Sequence, residues 1–177
     1  MIIKNVTQVG NPIIRKISKK VTSTKSPLVK KIIKDLTESM RHANLVGMAA
    51  PQIGHNWRIF VTEIRKTTLR KTKELDKLRV FINPKIINLS KNKISGYEGC
   101  GSVACAGIFG KVLRPSQITI SAIDENNKKF EYTAKGLLAR VIQHEIDHLN
   151  GVVFMDKIID TKSLMSKNEY IKYKTKL

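Results

Sequence analysis

The run Gln143-His144-Glu145-Ile146-Asp147-His148 spaces two imidazoles and a carboxylate as one helix face would. Residues i and i+4 lie one above the other on a helix, so His144 and His148 can share a cation while Glu145 flanks the coordination position left open. This is the H-E-x-x-H pattern, in which the carboxylate serves as a base beside the metal. A second reading makes the histidines core side chains whose polar atoms are satisfied by neighbours. Coordination accounts better for Leu137, Val141, His144, Glu145 and His148 sharing one stripe, because unpaired polar groups are costly to bury. A catalytic zinc or iron site normally takes a third protein ligand. Cys100, within Glu98-Gly99-Cys100-Gly101-Ser102, is the best candidate. Its flanking glycines let a strand end approach the helix, and a cation would hold the thiol as thiolate. Cys105 can compete or join it, although Val103-Ala104-Cys105-Ala106 reads as the setting of a small buried side chain.

The elements that must position these groups are legible in part. Thr133 is placed to cap the metal helix, Leu137, Leu138, Val141, Ile142 and Leu149 recur at helical spacing, and Gly151 follows its end. Ser26 and Pro27 form a cap and first position for a helix with Leu28, Val29, Ile32, Ile33, Leu36 and Met40 on its apolar stripe, ending near Asn44. Strands are expected at residues 2–8, 58–63, 80–84 with a turn, 85–90, 117–123 and 129–132, with a hairpin turn at Asp124 to Asn127. Residues 65–78 read as a polar, basic surface excursion. The expected fold is α+β, a single domain of short, mostly antiparallel sheets packed around a central metal-binding helix. The catalytic domain is expected over residues 1–160, with a basic, partly helical tail at 161–177 that can fray.

The 177 residues suffice for one domain with an ordinary core. The formal charge of +19 allows contact with a polyanion, but the basic runs are short, dispersed and not interleaved with aromatics. Solvated faces and a ribosome-facing surface both fit that pattern, whereas sequence-specific nucleic acid recognition and a membrane span do not. The first residues lack the apolar stretch of a secretory leader, and two cysteines make no disulfide framework, so the expected compartment is the cytoplasm.

Three segments, "GMAAPQIG" at 47–54, "EGCGS" at 98–102 and "QHEIDHLNG" at 143–151, stand in an order that resembles the peptide deformylase family. The resemblance extends from the Gly-Asn-Pro turn at 10–12 to about Asp160. It implies that Cys100, His144 and His148 hold one divalent metal, natively Fe2+, with Zn2+, Ni2+ or Co2+ possible in purified protein. It also implies that Glu145 is the catalytic carboxylate and Gln52 the polar partner of the reacting oxygen. The implied reaction removes the formyl group from N-formylmethionyl nascent peptides. Water activated by the cation gives a proton to Glu145 and attacks the formyl carbon. The Gln52 side-chain amide and the Gly101 backbone N–H meet the oxyanion, and Glu145 returns the proton to the departing amine. Val46, Leu137 and Val141 are placed to line a pocket for methionine, or else belong to the core, and Gly47 can pair with an extended peptide.

The chain departs from the family pattern at two places beside this cleft. Leu45 stands where many bacterial members have a glycine, and Gly101 where a bulkier residue is common. The segment "VACAGIFGKVLRP" at 103–115 is also longer than usual. In these respects the sequence resembles divergent or organellar-type members. Arg114 and Asp147 match positions of structural importance, and Glu98 reads as an acid behind the ligands. H-E-x-x-H alone would also fit a zinc peptidase, and the charge alone an RNA-binding module. The cysteine and glutamine motifs argue against the former.

Overall fold

A computed structural model describes residues 3–67 and 73–175. Helix α1 (Pro27–His42) is followed by strands β1 (Gly47–Ala49), β2 (Ile59–Ile64), β3 (Asp76–Leu89), β4 (Lys93–Gly99), β5 (Ile108–Pro115), β6 (Gln117–Ile123) and β7 (Lys129–Lys135). Helix α2 (Gly136–Leu149), strand β8 (Met165–Ser166) and helix α3 (Lys167–Thr175) complete the described elements. Five strands form one sheet in the order β1-β2-β3-β6-β7 and three form another in the order β4-β5-β8, with every named pairing antiparallel. The α+β expectation is met.

Strand β2 shows how the larger sheet sits between helices. Phe60 and Ile64 share a buried cluster with Ala139, Ile142, Ile146 and Leu149 of α2, while Ile59 and Val61 pack with Ile32, Leu36 and Met40 of α1. Alternate side chains point to opposite faces of a strand, so β2, covered on both sides, is apolar over Ile59-Phe60-Val61 and again at Ile64, with Thr62 and Glu63 between. Each buried Leu or Ile contributes about 1.5–3 kcal/mol. The result is a stiff platform under α2. The smaller sheet encloses a separate cluster of Cys100, Val103, Val112 and Phe154.

Several sequence expectations need correction. Residues 3–8 run without strand pairing, although Thr7 N–H donates to Gln52 O (2.8 Å) and Val9 N–H to Ser102 O (2.8 Å). Ile2 of that expected strand lies outside the described residues, as do 68–72 of the basic excursion and 176–177 of the tail. Thr133 does not cap α2. It lies in β7, where its hydroxyl meets that of Thr119 (3.0 Å), consistent with the preference of β-branched residues for strands. Gly136, with φ +57, turns the chain into α2, and Glu74 accepts from Leu137 N–H (3.0 Å). The two strands expected around residues 80–90 are one strand, β3, interrupted by bulges near Asn83 and Ile87. Within residues 161–175, β8 pairs with β5, and the expected partial helix is α3, whose Tyr170 stacks on Phe109 with ring centroids 4.1 Å apart. Among the described residues no helix is long and apolar enough to cross a membrane.

Candidate metal centre

The last two turns of α2 carry His144 and His148, and the end of β4 delivers Cys100. One ligand atom from each, among Cys100, His144 and His148, lies within 4.8 Å of the others, and all three residues are buried. Cys100 Sγ is 3.1 Å from His148 Nε2. His144 Nδ1–H donates to Glu98 Oε2 (3.0 Å), which leaves its Nε2 free for the cluster. Glu98 is itself clamped by Arg114, through Nε to Oε1 and Nη2 to Oε2 (both 2.8 Å), and Arg114 continues to Asp147. Charge thus fixes the ring that would hold a cation.

Burial alone would keep these groups neutral, but their neighbours reverse that tendency. Burial opposes ionisation of Cys100, yet the two histidines carry its thiol well below the ordinary range. Burial likewise disfavours charge on His144, and its bonds to Cys100 and Glu98 hold it well above its usual value. Glu98 is depressed because Arg114 and His144 outweigh its own desolvation. Glu145 goes the other way: burial pushes its carboxyl up to about 7, against the pull of both histidines. A carboxyl poised there can both take and return a proton near neutrality.

The donor set fits a divalent cation. A thiolate with two imidazoles suits zinc or ferrous iron, and two buried atoms, Glu145 Oε2 and His148 Nδ1, have no hydrogen-bond partner among the described residues. Glu145 is accommodated by Gly47, since an added Cβ at that position would lie 2.9 Å from the Glu145 carboxyl carbon. Gln52 belongs to the short 3-10 turn Ala50–Ile53 after β1, which Gly54 closes at φ +83. Its Oε1 accepts from Ala49 N–H (2.8 Å), and Nε2 points to Ser102 Oγ (3.3 Å) and Cys100 Sγ (3.6 Å). The sequence-selected Cys100, Glu145, His144, His148 and Gln52 therefore converge.

The residues expected to line a methionine pocket are buried or half-buried. Val46 and Leu137 are partly buried against the main core, and Val141 is buried. Leu137 lines a cavity of about 240 Å³ between β4 and the start of α2, in which Val46 and Val141 take no part. A Cβ at Gly101 would press on Leu45 Cδ1 at 2.9 Å and Val6 Cγ1 at 3.3 Å, so a side chain there requires Leu45 to move. The two departures from the family pattern thus complement each other. Cys105 is exposed, contrary to its expected burial. Ala104, Cys105 and Ala106 all take positive φ, a turn that nothing in those residue types announces. Sequence reasoning also passed over Gln8, which donates to Gly101 O (2.9 Å) and accepts from Cys105 N–H (3.1 Å), and Arg140, which bonds Glu98. No local signal marks Gln8. Arg140 stands one turn before His144 and two before His148, which is the signal that could have found it.

Fold and site together define a metal-dependent hydrolase of the H-E-x-x-H kind with a cysteine among its ligands. Residues 3–164 match the family described as polypeptide deformylase. A peptide deformylase from Dictyoglomus thermophilum is 38% identical over 159 residues, covering 90% of this chain and 95% of that protein. The peptide deformylase of Treponema pallidum is 43% identical over 119 residues, or 67% of this chain and 66% of that one. Among solved structures, peptide deformylase from Thermotoga maritima superposes with a TM-score of 0.78 at 32% identity, covering 90% of this chain and all of that one. The Met-Ala-Ser-bound class I type b enzyme from Acinetobacter baumannii superposes with a TM-score of 0.82 at 27% identity, covering 89% and 100%. The chain belongs to the peptide deformylase family, whose enzymes remove the N-formyl group from nascent peptides.

Proposed function

We propose that this chain deformylates the N-terminal methionine of new proteins with one divalent cation held by Cys100, His144 and His148. The observation that carries this reading is the convergence of those three ligand atoms beside Glu145, a buried carboxyl with an unpartnered oxygen. The cation, Fe2+ in the cell and Zn2+, Ni2+ or Co2+ in purified protein, supplies Lewis acidity and a more acidic water. Glu145 accepts the proton of the attacking water as the oxygen adds to the formyl carbon. Gln52 Nε2–H and the Gly101 backbone N–H then meet the negative charge that develops on the formyl oxygen. When the C–N bond breaks, Glu145 gives its proton to the departing nitrogen, and formate and a free α-amine leave. The Gln52 bond to Ala49 N–H supports this role, because it fixes which end of the amide is the donor.

Val46, Leu137 and Val141 would receive the methionine side chain, and Gly47 would pair with the peptide backbone as an added strand does. The Met-Ala-Ser ligand of the Acinetobacter relative supports an extended peptide as occupant. Residues 1–160 would form the catalytic unit. The cytoplasm suits both the substrate and a thiolate ligand, and exposed lysines such as Lys162 and Lys167 in the 161–177 tail offer a contact for the ribosome. Reversing both charges should weaken cosedimentation with ribosomes at low salt, and unchanged cosedimentation would dismiss that contact.

The test is formate release from formyl-Met-Ala-Ser by protein purified without oxygen, then stripped with a chelator and reloaded with each cation. Turnover should vanish on stripping and return on reloading, with the iron form fading in air as its thiolate oxidises. Full turnover by metal-free protein would refute the reading.

A further inference from the structure

Arg140 shares the histidine-bearing stripe of α2, yet none of the steps above uses it. Its side chain is only 14% exposed. Nη1 donates to Glu98 Oε1 (2.7 Å) and Val112 O (3.0 Å), and Nη2 donates to Ile94 O (2.7 Å). Gly96 makes this possible, since an added Cβ there would lie 2.9 Å from Nη2. The guanidinium therefore occupies space that any other residue at 96 would contest.

Glu98 gains a second fastening from this contact. Oε1 accepts from both Arg114 Nε and Arg140 Nη1, while Oε2 accepts from Arg114 Nη2 and His144 Nδ1. Arg114 comes from β5 and is shared with Asp147. Arg140 comes from the same helix as His144, one turn earlier, so it ties the carboxylate to the frame in which the ligand ring stands. Arg114 grips both oxygens through its fork, but it does so from β5 alone, and the terminal torsion of a glutamate is intrinsically broad. Arg140 adds a rigid planar donor to Oε1 from the helix that carries His144, so the carboxylate is fastened to both elements at once.

We infer that Arg140 is a positioning residue for the metal centre: by holding Glu98 Oε1 it keeps Oε2 aimed at His144 Nδ1, and so keeps the His144 ring turned toward the cation. This rests on the reading of Cys100, His144 and His148 as metal ligands. Loss of an outer partner of this kind typically weakens metal binding about 10- to 100-fold.

The test is a thermodynamic cycle on full-length protein, with Co2+ titrated into chelator-stripped samples and the thiolate-to-cobalt absorption band as readout. Arg140→Ala should raise the half-saturating Co2+ concentration about tenfold, and Arg140→Lys by about threefold. In Glu98→Gln, where one of the two acceptor oxygens is lost, adding Arg140→Ala should change it by less than about twofold, because both substitutions break the same chain of bonds. Arg140→Lys in the two backgrounds gives the same comparison if Arg140→Ala does not fold. An Arg140 variant that binds like wild type, or one that loses the same factor with and without the Glu98 carboxylate, would overturn the inference and leave Arg140 as a clip between helix and sheet. Wild type that takes up no Co2+ would instead overturn the ligand reading itself.

Discussion

Among the ligand residues, His144 is held by side-chain charge through Glu98, whereas Gly47, Gln52 and Gly101 on the other side are held by backbone contacts and by the absence of side chains. On the ligand side, Glu98 gathers Arg114, Arg140 and His144 in a buried network. Such a network is costly to assemble, but fully satisfied it fixes orientation. On the other side, the Gln52 amide is pinned by a main-chain N–H, Gln8 grips the Gly101 carbonyl, and Leu45 fills the room above Gly101. The contrast teaches where damage should register. Changes in the charged network should show in metal binding, and changes in the glycine-lined side should show in turnover or folding with the metal retained.

The largest effect expected is from Cys100→Ala, which should abolish metal retention and formate release together. Metal analysis alongside the assay checks this, and a variant still holding one cation per chain would break the division at its centre. Gln52→Leu comes next. It should lower kcat by about 10²- to 10³-fold at unchanged metal content. Loss of metal instead would place Gln52 with the ligands, acting through its 3.6 Å contact with Cys100 Sγ.

A smaller effect concerns packing. Gly101→Leu alone should destabilise the fold by about 1–3 kcal/mol, because the new side chain collides with Leu45 and Val6. Adding Leu45→Gly should recover most of that loss, and thermal melts of the single and double variants measure it. Equal stability of the single variant and wild type would show that the two positions do not compensate. The smallest effect lies far from the cleft. Burial pushes the Asp156 carboxyl up, but its bonds to Arg15 and to Val153 N–H together outweigh that and hold it below the ordinary range. A depressed carboxyl stabilises above its unfolded pKa and loses that contribution as pH falls through its folded pKa. Arg15→Ala should therefore cost no more than about 1 kcal/mol at neutral pH, since both partners are well exposed. The gap should close in acid, and a gap that widened on acidification would contradict the pairing.

The charged side of the site was the more legible in sequence. His144, Glu145 and His148 announce themselves by spacing, and α1 by Ser26-Pro27 and its apolar period. The hairpin of β6 and β7 was readable from its alternation and from Asp124 to Asn127. The smaller sheet was not. Strand β4, Lys-Ile-Ser-Gly-Tyr-Glu-Gly, has two glycines and little β-propensity, and it exists because β5 pairs along its whole length. Thr133 misled because a capping residue and a strand residue look alike without partners. Spacing could place Arg140 on the ligand stripe but could not give it partners, because Gly96 and Glu98 arrive from β4.

Glu145→Gln, assayed for bound metal and for formate release on the same sample, tests the central claim most directly. One cation per chain should remain while turnover falls by about 10²- to 10⁴-fold, the usual worth of a positioned proton carrier. Metal-loaded Glu145→Gln that releases formate at the wild-type rate would mean that the proton travels by another group, and the role assigned to this buried carboxyl would be wrong.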